Sequence, residues 1–343
     1  MKSDEEKLRE LFEMKDEPTF NNTVKRAKTS SMIRTTVISL MIFIILGCAL
    51  LISNAFILNS VSNREINELE NWFNVAMPNA YVGNIQVDDR IMIGEIDYAR
   101  YRYLGNKPIT DGSYKKGYTY MPLIEGIYGN VGDYLFNKSG QSFKELQEMR
   151  GYNKVGKPIM KFYHPSIKYE SYINDLEVFN NIGSNKLAEI SLSFDKDYSI
   201  EEVKSMIPKE ITLNWYWVDT FKEEQIAKIN EDEGSTVGIY EKKRVIYEEY
   251  GVHGIKALDN QGRPEKNPEE NFIISIMRGT KIKGNSSIYK DLLNTLSNGK
   301  SEIKKEDLKI IGVVVSGDAE VLKTLKDLKF IKAATIGAVA DRY

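Results

Sequence analysis

Cysteine is nearly missing. The 343 residues hold one, Cys48, so no disulfide can form within the chain. Small domains in oxidising compartments lean on such bonds, whereas a large domain can do without them. Histidine is almost as scarce: His164 and His253 stand far apart, and neither has a second histidine at ligand spacing, which argues against a histidine-built metal centre. Charge of one sign is lacking overall; the net value of −2 excludes a nucleic-acid binder that works by general basicity. Acidic residues are absent between Glu17 and Glu65, and the first 58 residues contain no tyrosine or tryptophan. All 20 tyrosines and all three tryptophans come later, which places the material for a core there.

The acid-free gap holds TVKRAKTSSMIRTTVISLMIFIILGCALLISNAFILNS, residues 23–60. Thr35 to Leu58 is an uncharged run that as a helix reaches about 36 Å, enough to cross a hydrocarbon core of about 30 Å with some tilt. It is too long for the apolar region of a cleaved signal, and no small-x-small site follows it. A retained single-pass anchor is the expectation. Lys25, Arg26, Lys28 and Arg34 precede it, while Glu65, Glu68 and Glu70 follow the lone Arg64. The positive-inside bias then puts residues 1–34 in the cytoplasm and the bulk of the chain outside the cell membrane. The four basic residues fix this topology and meet anionic membrane lipid.

Ahead of the span, SDEEKLRELFEMKDEP predicts a short helix. Ser3 and Glu6 form a capping box, and Pro18 ends the helix. Leu8, Leu11 and Phe12 fall on one face. About 13 residues of helix are marginal alone in water. The segment is therefore either a solvated tail or one that folds when its apolar face docks on a partner.

Beyond the span, NREINELENWFNVAMPN predicts a helix with Ile66, Leu69, Trp72 and Phe73 on one side. Residues 79–165 read as strand and turn, with a short helix over 142–150. LAEISLSF (187–194) and ITLNWYWV (211–218) predict strands, joined by a helix that Ser199 and Glu202 open with a capping box. FIISIM (272–277) reads as a buried strand and 286–299 as a helix. IIGVVVSG (310–317), a helix from Asp318 to Leu328 and FIKAATIGAV (330–339) complete a second strand–helix–strand unit. The segment between the two units, 219–271, carries NEDEGS and DNQGRPEKNPEEN, which read as polar, loop-like insertions. The fold class is therefore a single-pass membrane protein with an α+β ectodomain. Its C-terminal part is expected to be a split βαβ, ferredoxin-like sheet with helices on one face. The working division is a tail at 1–34, a span at 35–58, a membrane-proximal region at 59–180 and a C-terminal domain at 181–343.

Nothing in this pattern is a strong catalytic signal, and no cofactor is implied. SGD (316–318) sits between strand and helix but lacks the lysine and second glycine of a phosphate loop; a turn and an N-cap explain it. Asp88–Asp89 and Glu269–Glu270 lie in polar surroundings that do not tune carboxylates for acid–base work. Trp215 and Trp217 share one strand face opposite Tyr216, which suits a core, with a ligand-stacking platform as the alternative.

FNNTVKRAKTSSMIRTTVIS (20–39), MPNAYVGN (77–84) and IGEIDYARYRYLGNKPI (93–109) resemble the N-terminal region of the bacterial sigma factor regulator family. AEISLSFDKDYSIEEVKSMIPKEITLNWYWVDTF (188–221) and DLKIIGVVVSGDAEVLKTLKDLKFIKAATIGAVADRY (307–343) resemble the two ends of its C-terminal region. The fit weakens over 110–125, where a tryptophan expected after KPI is missing, and over 222–271. The resemblance implies a membrane-bound anti-sigma factor that holds an extracytoplasmic-function sigma factor through the tail and releases it on an envelope signal. On that reading Leu8, Leu11, Phe12 and Phe20 bind the partner, with no direct nucleic-acid contact. A protease or a homodimer would relay the signal. The tail carries no histidine or cysteine, unlike the metal-containing cytoplasmic domains of many anti-sigma factors. A cysteine-free outer domain suits a Gram-positive cell surface. The alternative is a membrane-anchored extracellular binding module that touches no sigma factor.

Overall fold

The computed structural model describes residues 18–121, 150–169, 171–231, 247–282 and 286–343, with the short stretches 4–6, 9, 135–136, 236–237 and 240–241. The expected helix over 142–150 and most of the tail, including Leu8, Leu11 and Phe12, lie outside these residues. One helix, α1 (Pro18–Phe73), runs without a break through the basic flank, the apolar run and the segment beyond it. It contains the one stretch, among the described residues, long and apolar enough to cross a membrane, and that stretch is fully unburied. This is compatible with a single-pass membrane protein. Thr29, Thr35 and Thr36 each return their hydroxyl to the carbonyl four residues back, so the helix satisfies these groups itself.

Past the span α1 becomes a packed helix. A three-stranded antiparallel meander lies along it: β1 (Tyr81–Asp89), β2 (Ile93–Leu104) and β3 (Lys107–Thr119). Leu58 of α1 is buried against Ile96 and Tyr118, with Val61 and Ile66 beside them. Leu69 and Phe73 bury against Ala80 and Val82. The β2–β3 turn is made at Gly105, whose φ of +59° suits glycine, and Gly105 N donates to Ser316 Oγ at 2.8 Å.

The C-terminal sheet is built from β4 (Lys186–Tyr198), β5 (Thr212–Val218), β6 (Gly254–Lys256), β7 (Ile310–Asp318) and β8 (Ile331–Asp341). Its order is β6-β5-β7-β4-β8, every neighbour antiparallel. Alternation along the strands gives it two buried faces. Ile190, Leu192, Phe194, Tyr216, Val313 and Val315 face one cluster. That cluster also holds side chains of four helices: α2 (Ile200–Met206), α4 (Pro268–Gly279), α5 (Ser286–Leu296) and the short α6 (Ala319–Leu322). A further helix, α3 (Glu223–Glu231), buries Ile226 elsewhere, beside Tyr163 and Tyr169. Trp215 and Trp217 face the other way, onto Met160, Phe162 and Val252. The Ser199–Glu202 capping box at α2 is present as the sequence predicts.

One expectation fails. FIISIM is helix, not strand, because Pro268 stands at the helix start with Glu269 and Glu270 in the first turn, and Phe272, Ser275, Ile276 and Gly279 repeat at helical spacing as the buried face. Elsewhere in 219–271 the chain supplies α3 and the edge strand β6, while residues 259–267 are turn and bend leading into α4.

Gly279 is where α4 meets α5. A β-carbon there would drive into the Tyr289 ring. Gly279→Ala is therefore expected to cost about 1–3 kcal/mol through overpacking, read as a lowered midpoint in denaturant unfolding of the detergent-solubilised chain.

Candidate functional site

Of the residues the sequence puts forward, Phe20, Lys25, Arg26, Lys28 and Arg34 all lie on the exposed N-terminal part of α1. At about 100° per residue the four basic side chains point in different directions, forming a collar around the helix rather than one docking face. A collar suits contact with headgroups on every side. Phe20 is 66% exposed, and Val24 stands one turn further on, also exposed. Of the tail ahead of them, residues 4–6 and 9 are helical.

The strongest electrostatic feature lies elsewhere, buried where the meander meets the C-terminal sheet. Arg100 and Arg102 stand two apart on β2 and so share a face. Asp111 on β3 lies opposite, its Oδ2 at 2.5 Å from Arg100 Nε and 2.9 Å from Arg102 Nε. Arg102 also reaches Glu249 at 2.5 Å and Glu189 of β4 at 3.3 Å. Arg100 lies over the Tyr114 ring, 4.5 Å from its centre. Every one of these charged groups is almost completely buried.

Neutral partners complete the cluster. Asp111 accepts from Asn153 at 2.7 Å. Glu189 accepts from Asn79 Nδ2 at 2.8 Å and from the Ala338 amide at 3.2 Å. Asn79 in turn donates to the Tyr103 carbonyl and accepts from Asn214 of β5. Burial pushes the Asp111 carboxyl upward, but Arg102, Arg100 and Lys157 outweigh it and hold the group below its ordinary 3.8. At Glu189 burial wins over Arg102, with Glu249 adding to the rise, so that carboxyl sits above its ordinary 4.5. The arrangement is a charge-matched junction rather than a reaction centre: its acids and bases are spent on each other.

The histidines have structural surroundings. His164 stands 3.3 Å from Asp219, and its Nδ1 accepts from the Ser166 amide. His253 is packed edge-on against Trp72, and burial lowers its pKa to about 4. No group of metal-binding side chains occurs among the described residues.

Sequence reasoning missed the junction. The available signal was YARYRYL, where two arginines alternate with aromatics along a strand and must share one face. Asp111 is close in sequence, but the other two partners of Arg102 are 87 and 147 residues away, at Glu189 and Glu249, and no local pattern links them.

Residues 21–109 match the family model for the sigma factor regulator N-terminal region, and residues 179–338 match that for the sigma factor regulator C-terminal region. Together the two matches cover well over half of the chain. No curated protein and no solved structure matches it. The N-terminal match contributes Asn79, Arg100 and Arg102 to the junction, and the C-terminal match contributes Glu189 and Glu249.

Arg102→Met would leave buried carboxylates without their shared cation, and a loss of about 3–5 kcal/mol is expected in denaturant unfolding. Arg102→Lys would not restore it, because an ammonium cannot fork to several acceptors. A pH series separates the carboxylates. Asp111, held low, contributes stability that is present above 3.8 and lost as pH falls through its lower folded value. Glu189, held high, contributes in the opposite sense: its term is complete below 4.5 and lost as pH rises through the folded value. Asp111→Asn is accordingly expected to flatten the acid limb of a stability–pH curve below about pH 4, relative to the unmodified chain.

Proposed function

The chain belongs to the sigma factor regulator family, and from that premise we propose that it is a membrane-bound anti-sigma factor. Its partner on this reading is an extracytoplasmic-function sigma factor. Residues 1–34 hold that partner at the cytoplasmic face, and the domain beyond the span receives an envelope signal that ends the hold. The observation that carries the reading is the layout of α1. One helix joins an exposed, basic inner segment to a domain packed directly on its outer end. The basic collar of Lys25, Arg26, Lys28 and Arg34 against the acidic Glu65, Glu68 and Glu70 supports an inward N-terminus.

Leu8, Leu11 and Phe12 are assigned the anchoring role, with Phe20, exposed near the start of α1, as an additional anchor. A helix laid into a groove needs only such anchors and no catalytic group. The tail at 1–34, the span at 35–58 and the regions at 59–180 and 181–343 are kept as working units. We read the C-terminal sheet as a split βαβ of ferredoxin-like type. Its support is the order β5-β7-β4-β8, in which each strand–helix–strand unit has its two strands one place apart, with the helices packed to one face.

Affinity capture of the full-length chain from native membranes, with identification of bound sigma subunits, tests the assignment. One small sigma factor should be recovered. Leu11→Asp with Phe12→Asp should reduce its recovery at least tenfold, about 1.4 kcal/mol, since each buried anchor contributes more than that. Recovery of no sigma factor, or equal recovery with the double variant, would remove the tail as the binding element.

A further inference from the structure

The turn between β1 and β2 has the wrong residues for an ordinary hairpin in water. A two-residue hairpin turn favours asparagine, aspartate or glycine at its centre. Here the central pair is Ile91 and Met92, closed by the Arg90 amide donating to the Ile93 carbonyl at 2.9 Å. Met92 has φ of +67°, a left-handed backbone that strains a residue with a β-carbon. Ile91 is 65% exposed and Met92 40% exposed. Strain and exposed apolar surface are thus spent together at one tip, which turns attention to what the tip meets.

Its position answers that. Asn54 of α1 donates from Nδ2 to the Arg90 carbonyl at 3.0 Å and accepts at Oδ1 from the Met92 amide at 2.8 Å and the Tyr120 hydroxyl at 2.9 Å. The tip is therefore pinned level with Asn54. From Arg34 to Asn54 the helix rises about 30 Å, the thickness of a hydrocarbon core. Ser53 and Asn54 are the first consecutive polar pair after that rise. The outer edge of the hydrocarbon falls at Asn54, and the tip lies at the same depth, with the exposed Phe56 and Ile57 within one turn of Asn54 on α1.

The polar groups of the turn suit this depth. The Arg90 carbonyl and Met92 amide are held by Asn54, and the Met92 carbonyl accepts from Thr119 Oγ1 at 2.7 Å. Backbone groups near hydrocarbon need such protein partners. The neighbouring charges are matched: Arg90 pairs with Asp88 at 2.8 Å, and Asp89 accepts from the Tyr118 hydroxyl.

We infer that the Ile91–Met92 turn is a lipid contact: it dips into the outer boundary of the bilayer and fixes the height and facing of the outer domain on the membrane. The inference rests on the reading that α1 crosses the bilayer, and on no sigma-factor contact. Its occupant is the acyl–headgroup boundary of phospholipid.

Single cysteines in a Cys48→Ser background test it in the full-length chain, reconstituted in phosphatidylcholine–phosphatidylglycerol vesicles. Positions 91, 43, 56 and 266 carry an environment-sensitive fluorophore, and quenching is measured with phospholipids bearing a nitroxide high on the acyl chain. Lys266 follows the 259–263 loop that meets Tyr101 and Tyr103 at the far end of β2, so it reports water. The expected result is strong quenching at Ile91→Cys, close to that at Phe56→Cys, with none at Lys266→Cys. Quenching at position 91 as weak as at 266, while Phe43→Cys responds to deep-lying nitroxides, overturns the lipid contact and leaves the span standing. Blue-shifted emission at 91 without quenching, the sign of a protein covering the tip, also overturns it. An aqueous reading at position 43 overturns both the span and the contact.

Discussion

A guanidinium cannot shed its proton, so burying Arg102 obliges the fold to bring anions to it. Three arrive, from β3, from β4 and from the segment just before β6, and each belongs to a different part of the chain. The energetic weight of such a cluster lies less in net attraction than in the penalty for assembling it incompletely. A meander without the C-terminal part would leave two buried arginines to the single carboxylate of Asp111, and the C-terminal part without the meander would carry Glu189 and Glu249 without their arginine. The two parts are therefore complementary in charge as well as in shape, and neither presents a satisfied surface alone.

That junction works together with an apolar one. The meander is glued along α1 by Leu58, Ile96 and Tyr118 near the membrane and by Leu69, Phe73 and Ala80 farther out. Asn71 adds a bond from α1 to the Ser275 carbonyl of α4. The helix leaving the bilayer is thus bound to both the meander and the C-terminal helices, with no free linker between span and domain.

How much of this could be read from the chain depended on range. The strands LAEISLSF, ITLNWYWV and IIGVVVSG and the Ser199 cap are local patterns, and they stand where composition and alternation put them. FIISIM went wrong because a short apolar run has no period of its own, and the deciding signal was Pro268 ahead of it. The apolar helix and the helix beyond it were each plain; that they run on as one from Pro18 to Phe73 was not. Among the site residues, Phe20 and the basic collar are exposed on α1 as their sequence suggests, while Leu8, Leu11 and Phe12 fall outside the described residues. The ionic junction was illegible for a physical reason: Arg100, Arg102 and Asp111 are close in sequence, but Glu189 and Glu249, which join them to the C-terminal part, are distant, and no local period links the two sets.

The unbroken course of α1 has a mechanical consequence. A helix has no soft joint unless proline, glycine pairs or a bulge supply one, and between Pro18 and Phe73 the only glycine is Gly47, alone. The packed domain and Phe20 are then opposite ends of one stiff shaft. From Asn54 to Phe20 the shaft is about 51 Å long, so tilting the domain by about 10° would carry the Phe20 end sideways by about 9 Å. Movement imposed on the domain arrives at the far end of α1 as displacement of the whole basic collar, geared up by the length of the lever rather than relayed from residue to residue.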